Sequence, residues 1–515
     1  MIEHDPNLPP SWARAALGEV SDISPSLPTE SSDDQQLVHF VPMAAVQENF
    51  AGIDVSACRP LSEVRGKGYT PFMEGDVLLA KITPCMENGK GGLVPTLQNK
   101  IAFGSSEFHV LRPSRSVTGK WLAHFLSQPQ FRRIARANMT GSAGQMRVPT
   151  KWLRSVSIPV APHAEQSRIV DKLEELLSDL DAGVAELEAA RKKLERYRQS
   201  LLKAAVEGAL TAEWRARNPP SETGAQLLQR ILAERRARWE AGQIAKFEQQ
   251  GKAPPKNWKG KYVEPAKPDV SDLPMLPEQW VWTSLGECFQ VLVGATPSRK
   301  ETRYWGGPIP WVSSGEVRFT RIKGTRETIT QAGLENSSTR INPAGSVLLG
   351  MIGEGKTRGQ VAILDMPAAN NQNCAAIWVS ETPAPPEYVF SWLWSQYEQT
   401  RRGSSGNNQP ALNKSIVERV VMPLPPLAEM QEIVRLVDHA LDQIERQQSA
   451  IDHALRHSAA QRQNILRAAF SGELVPQDPD DEPASVLLAR IRAERAAQAG
   501  KSTPRPRKAR KTADA

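Results

Sequence analysis

The chain nearly repeats itself. LPPSWARAALGEV at 8–20 returns as LPEQWVWTSLGEC at 276–288, and GDVLLAKI at 75–82 returns as GSVLLGMI at 345–352. IPVAPHAEQSRIV at 158–170 is matched by MPLPPLAEMQEIV at 422–434, and SLLKAAVEGAL at 200–210 by NILRAAFSGEL at 464–474. The order is kept while the shift drifts from 268 residues at Trp12/Trp280 to 270 at Gly75/Gly345 and 264 at Pro159/Pro423. Two copies at so long a period do not suit a stacked solenoid. They predict two similar units and a pseudo-twofold molecule that meets something with two matching ends.

Each copy has two parts of different kind. The first parts, 1–160 and 276–423, carry short apolar runs such as Val77-Leu78-Leu79 and Val347-Leu348-Leu349, punctuated by Gly, Pro and Asn. That pattern predicts mixed domains of short strands with a few helices, around Lys120–Ala137 and Pro386–Arg401. Trp12, Trp280 and Trp282 are expected in their cores.

The second parts open after Pro162 and Pro426, a residue type that suits the first helical turn. Apolar positions then recur at steps of three and four. In the first copy they fall at Leu173, Leu177, Leu180, Val184, Leu187, Leu194, Leu201 and Ala205, with Arg191 and Arg198 in the same register. In the second they fall at Val437, Leu441, Ile444, Ile451, Leu455, Ile465 and Ala469, with Gln448, Ser458 and Arg462. This is a heptad seam, and Gly208 and Gly472 stand where a helix C-terminus favours a left-handed residue. A helix over 165–207 would run roughly 64 Å, too long for one domain to cover, so each seam needs a partner helix. The other copy is the obvious partner, since the interruptions at Gln448 and Ser458 and at Arg191 fall at different places; two coils that dimerise with other proteins are the alternative.

The expected organisation is a first mixed domain at 1–160, a long helix with a docking helix at 161–250, a linker at 251–275, a second mixed domain at 276–423, a second long helix at 424–475, and a short docking helix with a basic tail at 476–515. The docking helices, 224–241 and 484–500, are charged with one apolar stripe and are expected to pack on a partner or back on the long helices.

At 515 residues and 40% hydrophobic content the chain can bury real cores. Cys58, Cys85, Cys288 and Cys374 lie far apart, which argues against a disulfide framework or a zinc site and for a reducing compartment. With no apolar run of spanning length and an acidic start, the reading is cytoplasmic. Net charge is +7, to which the tail KSTPRPRKARKTADA contributes six basic residues against Asp514. The tail is a solubilising end or a salt-sensitive nucleic-acid arm.

Three motifs point toward chemistry. Residues 350–357, GMIGEGKT, satisfy the phosphate-loop spacing of an ATPase. Such a loop must open a helix, however, and RGQVAIL follows, a glycine and a strand-like run; a strand-loop-strand hairpin with a basic tip is expected instead. Asn218-Pro219-Pro220-Ser221 lacks the aromatic with which an amino-methyltransferase stacks a flipped base, and reads as a turn between helices. His453 and His457 share a helix face without a third metal ligand, and read as a solvated face.

Binding remains. Both copies place polar, glycine-bearing loops at equivalent positions: 81–91 against 353–360, and 141–147 against 403–409. Lys, Arg, Asn, Gln, Ser and Thr dominate them, the types that read base edges or fix phosphates. Candidate DNA contacts are Lys81, Thr83, Asn88, Lys90, Gln145 and Arg147 in the first domain, and Thr296, Ser298, Lys356, Arg358, Gln360, Asn408 and Gln409 in the second.

On these residues the chain resembles a type I restriction-modification specificity subunit. The resemblance is carried by the Pro-x-Ala-Glu-Gln-x-x-Ile-Val pattern at Pro162–Val170, by the Leu-x-Ala-Ala-x-x-Gly-x-Leu helix ends at Leu202–Leu210 and Leu466–Leu474, and by 294–298, 304–311 and 353–360 in the second domain. Met430 in place of Gln, His163 in place of Leu, and the basic tail depart from the family's pattern. The resemblance implies an α+β fold with two mixed α/β target-recognition domains in a pseudo-twofold repeat, joined by two long helices packing as an antiparallel coiled coil. It implies no catalytic residue, cofactor or metal in this chain. The partners it implies are double-stranded DNA with a bipartite asymmetric target, two methyltransferase subunits that bind S-adenosylmethionine, and motor-nuclease subunits that use ATP and Mg. A coiled-coil scaffold binding only proteins, and a catalytic reading as ATPase or methyltransferase, are the rival expectations.

Overall fold

A computed structural model of the chain describes residues 8–27, 33–142, 144–353, 356–402 and 412–499. The chain divides into two compact units, Met1–Glu188 with Asp452–Ala515, and Ala189–Ile451. Both long helices, His163–Val206 and Leu427–Ser471, therefore contribute one part to each unit.

In the first unit an antiparallel sheet has the order Ser21–Ile23, Phe108–Pro113, Val77–Ala80, Gly91–Leu93. The run Val77-Leu78-Leu79-Ala80 is buried throughout because this sheet is covered on both faces. Side chains alternate across it: Val77 and Leu79 enter one core with Trp12, Trp121 and Leu173, while Leu78 enters another with Phe72, Phe108 and Val110. A second four-stranded sheet follows the order Cys58–Pro60, Leu37–Val41, Ile101–Gly104, Thr70–Met73.

The second unit has the same order of four strands, Gln290–Val293, Cys374–Trp378, Val347–Gly350, Val361–Leu364, and adds Thr320–Ile322 as a fifth, parallel to Val361–Leu364. The alternation is the same. Val347, Leu349, Val361 and Ile363 face a core with Trp280 and Tyr388, whereas Leu348, Ala362 and Leu364 face one with Val312 and Val317.

In each unit the strand that opens the domain pairs with the strand that closes it, just before a long helix begins. Ala13 lies opposite Val160, and Val281 opposite Leu424. The Trp12 and Trp280 rings are buried, as expected; Trp282 is half-buried at the edge of its core. The two expected domain helices are each broken. Gly119–Ser127 is followed by Pro129–Ala137, because Pro129 supplies no N–H and drives Gln128 to an extended conformation. Pro386–Ser395 is followed by Tyr397–Arg402.

The seams find partners inside each unit. In the first, Leu173 and Leu177 share a core with Leu466, Ala469 and Phe470, and Asp181 pairs with Arg462. In the second, Leu202, Ala205 and Val206 share a core with Met430, Ile433 and Val437, and Arg198 donates to Gln448 at 2.9 Å. Positions rising along one helix meet positions falling along the other and in the segment just past its end: 181 with 462 and 165 with 477 in the first unit, 198 with 448 and 429 with 211 in the second. The polar interruptions do not all fall at different places, since Arg198 and Gln448 face each other. Desolvating one long polar side chain is less costly when the other supplies its hydrogen bond.

The docking helices pack on their own units in matching ways. In Gly224–Gln249, Arg235 donates to the carbonyl oxygen of Glu287 at 3.1 Å and to that of Gly286, while the Gly224 N–H donates to the Gln279 carbonyl at 2.8 Å. In Ala484–Ala499, Arg495 donates to the Gly18 carbonyl at 3.0 Å and the Ala484 N–H to the Ser11 carbonyl at 2.9 Å. Asn218–Ser221 forms the turn between Ala212–Arg217 and Gly224–Gln249. The linker folds back: Trp258 packs on Trp239 with centroids 5.9 Å apart, and Tyr262 on the same ring at 5.3 Å. Among the described residues no helix is long and apolar enough to cross a membrane.

Candidate nucleic-acid interface

A buried carboxylate ties each domain to the start of a long helix. Glu429, 1% exposed, accepts the Trp280 indole N–H at 2.9 Å, the Thr211 hydroxyl at 2.7 Å and Arg215 Nε at 2.9 Å. Glu165, also 1% exposed, accepts the Trp12 indole N–H at 3.0 Å and the Gln477 amide at 2.7 Å. The first joint is charge-paired and the second is served by neutral donors, so burial raises the Glu165 carboxyl above its usual range. Gly208 and Gly472, both at positive φ, end the long helices against these joints. A Cβ on Gly208 would stand 2.7 Å from Pro277, and one on Gly472 2.3 Å from Pro9. Sequence reasoning used Glu165 only as part of a motif and did not assign either carboxylate a role. The signal was its pairing with a Trp at matched positions in both copies.

In the first unit the loop after Val77–Ala80 carries the candidates and turns back into Gly91–Leu93. Ile82 bridges Arg147, the Thr83 N–H donates to the Met146 carbonyl at 3.0 Å, and the Val148 N–H to the Lys81 carbonyl at 2.8 Å. Lys81, Thr83, Gln145 and Arg147 are thereby brought together. Arg147 is held by Glu107 through its Nε and Nη2 at 3.0 and 2.9 Å, which lowers the Glu107 carboxyl below its usual range and raises Arg147. Thr83 donates to Glu87 at 3.1 Å. Asn88 and Lys90 lie at the far end of the loop, Asn88 donating to Glu48 at 2.8 Å and Lys90 to the Met43 carbonyl at 3.2 Å. Gly89 suits the turn there: its φ is +69°, and a Cβ would stand 1.9 Å from Arg132 Nη1, which donates to Asn49 at 3.0 Å and would have to move.

In the second unit the described residues of the phosphate-loop motif, 350–353 and 356–357, lie at a hairpin. Val347–Gly350 pairs antiparallel with Val361–Leu364, the Gly359 N–H donates to the Gly350 carbonyl at 2.8 Å, and no helix follows. Lys356, Arg358 and Gln360 lie on this tip, Lys356 exposed and its carbonyl accepting the Tyr397 hydroxyl at 2.9 Å. Thr296 and Ser298 sit on another loop, where Thr296 donates to Gln372 at 2.6 Å and the Ser298 carbonyl accepts the Trp305 indole at 3.2 Å. Asn408 and Gln409 lie outside the described residues.

Helices beside these loops add cations that sequence reasoning missed. Pro129–Ala137 buries Phe131 and Ala135 and turns out Arg132, Arg133 and Arg136, with Arg136 3.9 Å from Glu87. Arg401 on Tyr397–Arg402 donates to the Tyr397 hydroxyl at 2.9 Å. The legible signal was a helix with two buried apolar positions and three arginines on its other faces. His453 and His457 are exposed, and among the described residues no group of three His, Cys, Asp or Glu is placed to hold a metal.

Two basic-tipped strand loops with polar neighbours offer the side-chain types that contact a nucleic acid. Residues 277–453 match the family model described as the type I restriction modification DNA specificity domain. The chain is 26% identical over 491 residues to the EcoAI specificity subunit of Escherichia coli, covering 84% of this chain and 78% of that protein. It is 31% identical over 322 residues to the EcoEI specificity subunit of the same species, covering 54% and 51%. Among solved structures, a chain from a study of complex assembly and conformational transition of the type I R-M system shares the fold, with a TM-score of 0.64 at 20% identity over 92% of this chain and 100% of that one. The chain is similar to the type I restriction-modification specificity subunits.

Proposed function

We propose that this chain is the non-catalytic, DNA-reading subunit of a type I restriction-modification complex, with each mixed domain reading one half of a bipartite, asymmetric target. The observation that carries the reading is the repeated device: in both units a polar, lysine-bearing loop joins the third and fourth strands of the same four-strand order, with Lys81 and Lys90 in the first, beside Gln145 and Arg147 of a neighbouring loop, and Lys356, Arg358 and Gln360 in the second. Major-groove reading needs such side chains presented on a rigid edge, with phosphate-fixing cations around them.

The finer parts of the proposal follow the same residues. Lys81, Thr83, Gln145 and Arg147 form the first reading cluster, with Asn88 and Lys90 further along the same loop as Lys81; Lys356, Arg358 and Gln360 form the second, and Thr296, Ser298, Asn408 and Gln409 are the remaining contacts proposed for that domain. The two long helices act as an antiparallel coiled-coil spacer, a reading supported by the opposed order of partner positions within each unit. Two methyltransferase subunits, which bring S-adenosylmethionine, and motor-nuclease subunits, which use ATP and Mg, assemble on this chain. Mapping methylated adenines in the host genome with and without the gene is the test. Loss of methylation at one split sequence supports the reading; an unchanged map overturns it in favour of a protein scaffold.

A further inference from the structure

Continuous with the second hairpin tip runs a strip of the second unit that none of the candidate contacts includes. The Phe319 N–H donates to the Val361 carbonyl at 2.8 Å, and Thr320–Ile322 pairs with Val361–Leu364, so the strip starts where the Lys356–Gln360 tip ends. Phe319 has a φ of +54°, a left-handed conformation unfavourable for an aromatic residue. It is held there by stacking on Trp394, centroids 4.8 Å apart, and by an edge contact with Tyr397 at 4.9 Å, the residue whose hydroxyl reaches the Lys356 carbonyl. Strain held in place next to a tip is a mark of a functional segment.

Beyond Phe319 the chain lines an open cleft of about 430 Å³ with Arg318, Thr320, Arg321, Lys323, Thr325 and Arg326. Arg321 is anchored to Asp365 and Glu387, each at 2.7 Å. Arg318, Lys323 and Arg326 are exposed, and among the described residues their side chains have no hydrogen-bond or ion-pair partner. The carboxylate that lines the cleft, Glu316, is engaged by the backbone N–H groups of Ser313 and Arg326, each at 2.9 Å. Three unpaired cations around an anchored one, on an open edge contiguous with a reading tip, match the repeating charge of a nucleic-acid backbone.

We propose that Arg318, Lys323 and Arg326 grip backbone phosphates of the DNA duplex whose bases face the Lys356–Gln360 tip. The proposal rests on the DNA-reading function above. Among the described residues Thr320–Ile322 has no counterpart in the matching sheet of the first unit, so this grip belongs to one domain.

The test uses the complex purified from its host through a tag on this chain, with the triple variant Arg318→Gln, Lys323→Gln, Arg326→Gln and a charge-keeping control, Arg318→Lys with Arg326→Lys. Affinity for a duplex carrying the methylated target and for a scrambled duplex is measured from low to high salt. Each phosphate contact contributes about 0.9 to the slope of log K against log salt, so the triple variant should flatten it by about 2.7 on both duplexes while the control keeps the original slope. An unchanged slope in a variant that melts like the parent overturns the grip, and so does a loss confined to one base pair. If the parent complex itself does not distinguish the duplexes, the DNA-reading function fails instead.

Discussion

Replacing each joint carboxylate by its amide should separate the two joints. Glu429→Gln keeps the shape of the side chain but offers one acceptor and one donor where three donors converge: the Trp280 indole, the Thr211 hydroxyl and Arg215 Nε. If the amide oxygen stays with Thr211 and Arg215, its NH₂ confronts the Trp280 N–H, and Arg215, with 21% of its side chain exposed, loses its counter-charge. One unsatisfied buried donor costs about 1–3 kcal/mol, and a broken buried pair about 3–5 kcal/mol, reduced here because Arg215 reaches solvent. A net loss of about 3 kcal/mol corresponds to a melting shift of roughly 6–12 °C for a unit of this size.

Glu165→Gln meets only neutral donors. Gln477 can turn its amide to accept from the new NH₂ while the oxygen keeps the Trp12 N–H, so the cost should stay below about 1 kcal/mol. Because burial raises the Glu165 carboxyl in the folded state, the folded protein binds this proton more tightly than the unfolded chain. Stability from this group is present at low pH and is lost as pH rises from the ordinary carboxylate range through the raised value; Glu165→Gln should remove that dependence. Thermal melts of both variants from pH 4 to pH 8 measure both effects. Equal losses, or a larger loss for Glu165→Gln, would refute the distinction between a charged and a neutral joint.

Other residues carry their own tests. Gly89→Ala should cost about 1–2 kcal/mol in thermal stability because the site is left-handed, and Gly89→Asn less, since Asn tolerates that region; equal costs would place the cause in the clash with Arg132 instead. Lys356→Ala should weaken binding to all duplexes alike, whereas Gln360→Ala or Arg358→Ala should cost about 1–3 kcal/mol at one base pair, read by competition against a panel of single-base variants. Adding one heptad to both long helices lengthens each by about 10 Å, and the unread gap in the methylation target should grow by about three base pairs; an unchanged gap rejects the spacer. Cys288 and Cys374, whose burial pushes their thiols up to about 12, should resist alkylation at pH 8 while exposed Cys58 is labelled, as mass spectrometry before and after denaturation will show.

The period of the sequence made the elements legible where one pattern dominated. The seam from Leu173 to Ala205 predicted a helix over 165–207, and His163–Val206 is one. The glycine and strand-like run after Lys356 marked a hairpin rather than a phosphate loop, and Gly350 and Gly359 close it. Legibility failed where the deciding contact is distant in sequence. Nothing local to Arg147 announces that Glu107 clamps it, and nothing local to Phe319 announces that Trp394 holds it in a left-handed turn. The facing of Arg198 and Gln448 depends on the stagger between two helices, which neither seam contains.

What the sequence alone determined is the set of units and their grammar: two copies, each a strand-rich domain followed by a long amphipathic helix, because hydrophobic period and chain order are one-dimensional properties. Tertiary structure decided which segments pair. The last described helix, Ala484–Ala499, docks on the first domain, and Glu165 and Glu429 each collect donors from segments up to 312 residues away. Buried polar groups must find partners wherever the fold brings them, and that choice is made by packing in three dimensions.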